Sequence, residues 1–201
     1  MGSQKLQKIL SVITRQMDSR QIPFALIGAF ALGMYGIPRY TADLDLLADY
    51  RDLEEITAIL DKLDFRCRQK TEAFAQFDSE LGIYGSVDCM FVQTQDGRAM
   101  LGRRVRVTDP VMGAVPVVQP TDYIVLKLMA MANQPERGAG DESDIRSVLD
   151  CYRLNQIPLW CGSLDRKRIE SFSIKFGQEK VIRRLFKEAT KTSASGEGFF
   201  I

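Results

Sequence analysis

The chain has 201 residues, with 27 Lys plus Arg against 26 Asp plus Glu, a net charge of +1 and no histidine. That length supports one ordinary domain, or one with a small appendage, and an apolar content of 45% is that of a soluble globular protein. The missing histidine excludes Ser-His-Asp and Cys-His catalysis, imidazole general bases and His-containing zinc sites, so any enzyme here works with carboxylates, Lys, Tyr, Cys or an oxygen-held metal.

Along the chain, Leu6, Ile9, Leu10, Ile13 and Met17 recur at helical spacing and predict an amphipathic opening helix over residues 4–20. Pro23 breaks it, and Phe24 to Ile27 reads as a buried strand. Gly28 marks a turn, followed by a helix of about two turns from Ala29 to Tyr35, stopped by Gly36 and Pro38. Asp43 to Leu47 alternates acid and leucine, a strand with both carboxylates on one face. Asp52 opens a predicted helix through Leu63, with Ile56, Ile59 and Leu60 inward. Residues 65–68 and 74–77 read as strands around a turn, and Val87 to Val92 as a further strand. Between residues 95 and 119 only short strands at Val105–Val107 and Val115–Val118 stand out. Thr121 or Asp122 is expected to cap a helix from Tyr123 to about Asn133, and Asp141 or Glu142 to open one ending near Leu154. Two more helices fit from Asp165 on, before a Ser- and Gly-rich tail. The expected organisation is a catalytic core over residues 1–119 and a helical C-terminal region over 120–201 packed on it.

Cys67, Cys89, Cys151 and Cys161 contain no Cys-x-x-Cys pair and are expected to be free thiols. The N-terminus is polar, unlike a signal peptide, and no apolar run approaches the roughly 20 residues needed to cross a bilayer. The expectation is a cytoplasmic protein without a membrane partner.

The chemistry concentrates in Ile27 to Asp49. A turn without a side chain at Gly28 admits an anion to backbone N–H groups, and the helix start beyond it favours phosphate. Asp43 and Asp45 project side by side and suit a hard divalent cation such as Mg²⁺. A third acid on a neighbouring strand would complete a two-metal site about 4 Å across. Asp88 is the candidate, because a core-like strand carries a charge only at a cost.

This segment resembles the active-site motif of the nucleotidyltransferase superfamily, the fold shared by DNA polymerase beta and minimal nucleotidyltransferases. The longer pattern, a glycine turn followed by G-x-x-R-x-T-x-D-x-D, looks most like the AbiEii-type toxin branch. LKLMA with Lys127, and DESD with Asp141 and Asp144, are similar to later elements of that branch, so the resemblance covers about residues 23–150. It implies an α+β fold, with a mixed β-sheet flanked by helices and a helical C-terminal part. It implies Asp43, Asp45 and Asp88 as metal ligands, with Mg²⁺ or Mn²⁺ as the ion and an NTP such as ATP as substrate. It further implies a catalytic part for Lys127 and Asp144, and phosphate or loop contacts for Gly28, Ala29, Arg39 and Thr41. Ala29 departs from the Gly or Ser of many members, which removes a hydroxyl contact and keeps a backbone N–H.

The expected reaction moves a nucleoside monophosphate to a hydroxyl of tRNA or other RNA, a protein or a small molecule. A toxin role with a cognate antitoxin belongs to the same expectation, and a silent nucleotide-binding module on the same fold is the alternative. Plainer roles stand beside these: Lys127 snorkelling to the surface, Asp141 as a helix cap, Asp144 pairing with Arg146 or Arg137, and Arg39 in a salt bridge. Arg166, Lys167, Arg168, Arg183, Arg184 and Lys187 form either a solvated helix face or a basic face for nucleic acid.

Overall fold

The computed structural model describes residues 2–191. The expected Ser- and Gly-rich tail lies outside them. In chain order the elements are α1 (Gly2–Ser19), β1 (Phe24–Leu26), α2 (Gly28–Met34), β2 (Asp43–Asp49), α3 (Leu53–Asp61), β3 (Phe65–Lys70), β4 (Phe74–Ser79) and β5 (Ser86–Val92). They continue with α4 (Gln95–Gly102), β6 (Val105–Asp109), β7 (Gly113–Val117), α5 (Pro120–Asn133), α6 (Gly138–Arg153), α7 (Arg166–Lys175) and α8 (Glu179–Lys191). The chain forms two compact units, one of residues 2–34 and 38–118, the other of residues 35–37 and 119–191.

The first unit is built on a seven-stranded sheet in the order β3-β4-β5-β2-β1-β7-β6. The pairs β2–β5 and β1–β7 are parallel and the others antiparallel. Period-two alternation divides its faces. Leu44, Leu46, Ala75, Phe77, Val87 and Cys89 are buried, whereas Asp43, Asp45, Gln76, Asp78, Ser86 and Asp88 are half-buried on the opposite side. Against this sheet α1 buries Leu6, Ile9, Leu10, Ile13 and Met17, the stripe its spacing predicts, and touches α3, β2 and β7.

In the second unit α5 is nearly enclosed, with nine of its residues buried, and it packs on α6 and α7. Tyr35 packs edge-on against Tyr123, their centroids 5.7 Å apart, and lies 5.7 Å from Trp160. Burial raises the Cys161 thiol to about 12, which leaves it inert.

The starts of α5 and α6 lie about three residues before the expected positions. Pro120 rather than Thr121 or Asp122 begins α5, since proline at the first helical position gives up an N–H that would have no intrahelical partner. Thr121 and Asp122 serve α7 instead: the Asp165 N–H donates to Thr121 Oγ1 (3.0 Å) and Arg168 Nε to Asp122 (3.1 Å). The helix α6 begins at Gly138, so Asp141 lies inside its first turn rather than at a cap. Residues 50–52 form a 3₁₀ turn that precedes α3. The helix α4 was not anticipated. It is short, carries Gly97 inside, buries only Met100 and Leu101, and is capped by Thr94, which accepts from the Gly97 N–H at 3.1 Å.

At the end of β2, Asp49 is buried and takes four hydrogen bonds. They come from Arg51 N–H (3.0 Å), Arg51 Nε (3.1 Å) and Nη2 (2.8 Å), and Arg98 Nε (2.8 Å). The hydrogen bonds from Arg51 are the largest influence and, with Arg98, hold its carboxyl far below the usual range despite burial. A depressed carboxyl contributes stability that is fully present above its unfolded value, near 4, and is lost as pH falls below it. Asp49→Asn is therefore expected to cost about 2 kcal/mol at neutral pH, with the gap to the parent narrowing between about pH 5 and about pH 2.5. Urea titrations of both proteins across that range check it, and a pH-independent gap would contradict it.

Candidate active site

Asp43 and Asp45 stand two residues apart on β2, so both point to the half-buried face. Parallel pairing with β5 sets Asp43 opposite Ser86 and Asp45 opposite Asp88. One carboxylate oxygen from each of Asp43, Asp45 and Asp88 lies within 4.8 Å of the others. Twice a hard-cation–oxygen bond of about 2.1 to 2.5 Å spans roughly 4 to 5 Å, so three anionic oxygens at this spacing fit Mg²⁺, Mn²⁺ or Ca²⁺. Among the described residues this is the group of three His, Cys, Asp or Glu side chains with such spacing.

Two neighbours shape the cluster. Thr41 Oγ1 donates to the Asp43 carboxylate, and the Asp43 N–H donates back to Thr41 Oγ1 at 3.3 Å, which fixes the first acid at the strand entrance. Gly28 lies directly against the second. Its φ is +60°, and a Cβ there would sit 1.8 Å from Asp45 Oδ2. Only glycine permits both that backbone conformation and that approach. The Ile27 N–H donates to the Asp45 carbonyl at 3.1 Å, which ties the end of β1 to β2 and sets the turn beside the acids. Ala29 follows, buried, inside α2. Arg39 lies exposed in the loop between α2 and β2.

The remaining expected site residues, Lys127 and Asp144, belong to the second unit. Lys127 does not snorkel to solvent. Its Nζ sits 2.8 Å from Asp141 Oδ1 and 2.7 Å from Asp144 Oδ2, and 5.6 Å from the centroid of the Tyr123 ring. Tyr123 Oη donates to Asp144 Oδ2 at 3.4 Å. Asp144 thus pairs with Lys127, and Arg146 turns to Glu142 (3.2 Å) and Glu188 instead. Asp141, three residues before Asp144, shares its helix face, so one cation on α5 meets two anions on α6.

The four arginines of α7 and α8 are each matched by a carboxylate. Arg166 pairs with Glu170 (2.8 Å), Arg168 with Asp122 (3.1 Å), Arg183 with Glu179 (2.6 Å) and Arg184 with Glu142 (2.5 Å). Guanidinium groups already matched by carboxylates offer little to a phosphate backbone.

Removing the cation from the Lys127 cluster would leave two buried carboxylates uncompensated. Lys127→Met is expected to destabilise the protein by about 3 kcal/mol. An unchanged urea midpoint would contradict this.

The sequence matches no family model and no curated protein. The fold does match solved structures. One is the solution structure of the antibiotic-resistance factor ANT(2'')-Ia, with a TM-score of 0.63 at 16% identity, over 94% of this chain and 99% of that one. ANT(2'')-Ia in a crystal with adenylyl-2''-tobramycin gives 0.59 at 15% identity, over 87% and 98%. An antigenic nucleotidyltransferase-like protein from Paracoccidioides brasiliensis gives 0.56 at 18%, over 95% and 94%. At these identities the likeness is one of fold. The chain has the nucleotidyltransferase fold: α+β, a mixed seven-stranded sheet with flanking helices.

Proposed function

We propose that this chain is a nucleotidyltransferase that moves a nucleoside monophosphate from an NTP to a hydroxyl acceptor and releases pyrophosphate. The observation that carries the reading is the convergence of Asp43, Asp45 and Asp88 to within 4.8 Å beside a glycine turn. It is supported by the fold it shares with nucleotidyltransferases.

In this reading the three carboxylates hold Mg²⁺ or Mn²⁺. A cation held there would supply Lewis-acid neutralisation of charge on the phosphates and on the leaving pyrophosphate. The backbone at Gly28 and Ala29 receives phosphate oxygens, and the missing Cβ of Gly28 lets that backbone lie directly against the Asp45 carboxylate. Thr41 keeps the Asp43 carboxylate in one orientation. Arg39, in the adjoining loop, is assigned to the phosphates. Asp88 accepts the proton of the acceptor hydroxyl as that oxygen bonds to the α-phosphorus and the bond from that phosphorus to pyrophosphate breaks. None of these roles calls for an imidazole.

Lys127 and Asp144 enter the proposal through the sequence resemblance, and so does the toxin–antitoxin role. An acceptor that is a small molecule draws support from ANT(2'')-Ia, solved with adenylyl-2''-tobramycin. RNA and protein hydroxyls are the other candidates.

Pyrophosphate release is the test, measured with each NTP, Mg²⁺ or Mn²⁺, and panels of RNA, protein and small-molecule acceptors. The parent is expected to turn over with at least one combination, and Asp45→Asn to lose roughly a hundredfold or more of that rate while keeping its fold. Undiminished activity in Asp45→Asn would refute the metal assignment. Binding of Mg-NTP without turnover on any acceptor would mark a silent module instead.

A further inference from the structure

Charge is unevenly spread over the first unit. The unit carries fourteen Lys and Arg against fifteen Asp and Glu, yet the first twenty residues of the chain hold four cations and one acid. With its apolar stripe turned to the sheet, α1 leaves Lys5, Lys8 and Arg15 exposed within a sector of roughly 80°, at about 100° per residue. Arg20 is exposed just beyond the helix and donates to Gln16 alone, at 2.8 and 3.1 Å. Among the described residues none of these four cations meets a carboxylate. The one acid, Asp18, is taken by the edge strand β6, where Arg106 Nη1 donates to its Oδ2 at 3.1 Å. Two residues earlier Arg104 is half-buried, donates to the Leu101 carbonyl at 2.9 Å and forms no ion pair among the described residues. Burial, and after it the charge of Arg106, lowers the Arg104 guanidinium below its ordinary value, so an anion brought beside the pair is favoured.

This surface is charged without being apolar. Among the described residues, no exposed large apolar side chain lies on α1 or β6, and neither element holds an aromatic residue. A protein interface centres on aromatic or aliphatic anchors, and an interfacial helix sinks an apolar face into the bilayer. Neither finds a foothold on a helix whose Leu6, Ile9, Leu10, Ile13 and Met17 are already buried. Single-stranded nucleic acid is held by bases stacked on aromatic side chains, which are equally missing. A duplex asks for charge alone, since its backbone presents one negative charge per about 1.7 Å of axis. From Lys5 to Arg15 the helix rises about 15 Å, the length of four to five base pairs at about 3.4 Å each.

We propose that the outer face of α1, extended by Arg20 and Arg104, is a docking surface for the phosphodiester backbone of a nucleic-acid duplex. The inference goes beyond the nucleotidyl-transfer reading. None of its residues belongs to the metal cluster or the Gly28 turn, and docking is measured without an NTP or turnover.

The test follows fluorescence anisotropy of a short labelled RNA duplex, and of a DNA duplex of the same sequence, as the full chain is added over a series of salt concentrations. A single strand, a polyglutamate peptide and phosphatidylserine vesicles serve as competitors. Duplex binding is expected to weaken steadily with salt. The Lys8→Gln, Arg15→Gln double variant is expected to bind about tenfold more weakly at low salt, with a log–log salt slope smaller by about 2 and an unchanged circular dichroism spectrum. The Lys180→Gln, Lys187→Gln variant of α8 removes the same charge and is expected to bind as the parent does. Binding of either duplex in this pattern supports the proposal, and a preference between them names the one taken. No binding of either duplex at low salt, tighter binding of the single strand, the polyglutamate or the vesicles, or equal losses in the two double variants would each overturn it.

Discussion

Three carboxylates are held against their mutual repulsion by the parallel pairing of β2 with β5. Two unit charges about 4.8 Å apart repel by on the order of 3 kcal/mol at an effective dielectric near 20, and Asp43, Asp45 and Asp88 approach at least that closely. The sheet imposes the arrangement because the apolar side of the same strands is fully committed. Leu44, Leu46, Val87 and Cys89 are buried, and a one-residue slip would turn the leucines toward solvent and the acids into the core. Core packing thus enforces a concentration of negative charge that a divalent cation would relieve, and the site and the fold become one problem.

The elements around the cluster follow from that constraint. A glycine at residue 28 is demanded by the space beside Asp45, and Thr41 fixes the acid at the strand entrance. At the other end of β2, Asp49 shows the opposite solution to a buried charge. Arginines satisfy it with four hydrogen bonds, and its carboxyl is held far below the ordinary range. One strand therefore carries a structural carboxylate at its end and two crowded ones at its start, and only the latter have the separation of cation ligands.

Much of this was legible in the sequence. Acid–leucine alternation in Asp43–Leu47 identified a strand with one polar face, and Gly28 after a short apolar run identified the turn, because both signals are local. The pairing of Asp88 with Asp45 rather than Asp43 is a register between strands more than forty residues apart, and no local pattern encodes it. For the same reason the ion cluster of Lys127 with Asp141 and Asp144 was hidden, and Asp141 read as a cap although its carboxylate is spent on a lysine of another helix. The helix α4 escaped because an internal glycine and only two buried side chains leave little periodicity to read. The arginines of α7 and α8 read as basic in sequence. Glu170 and Glu179 stand only four residues from Arg166 and Arg183, whereas the Asp122 and Glu142 that meet Arg168 and Arg184 are more than forty residues away and are revealed by the fold.

The central claim is that the Asp43–Asp45–Asp88 face binds a divalent cation next to the Gly28 turn. Paramagnetic broadening by substoichiometric Mn²⁺ addresses it directly, because the effect falls steeply with distance and needs neither substrate nor turnover. Amide resonances of residues 27–29, 43–45 and 86–88 are predicted to broaden first, and to recover when excess Mg²⁺ displaces the ion. Broadening centred elsewhere, or none at those residues, would contradict the account.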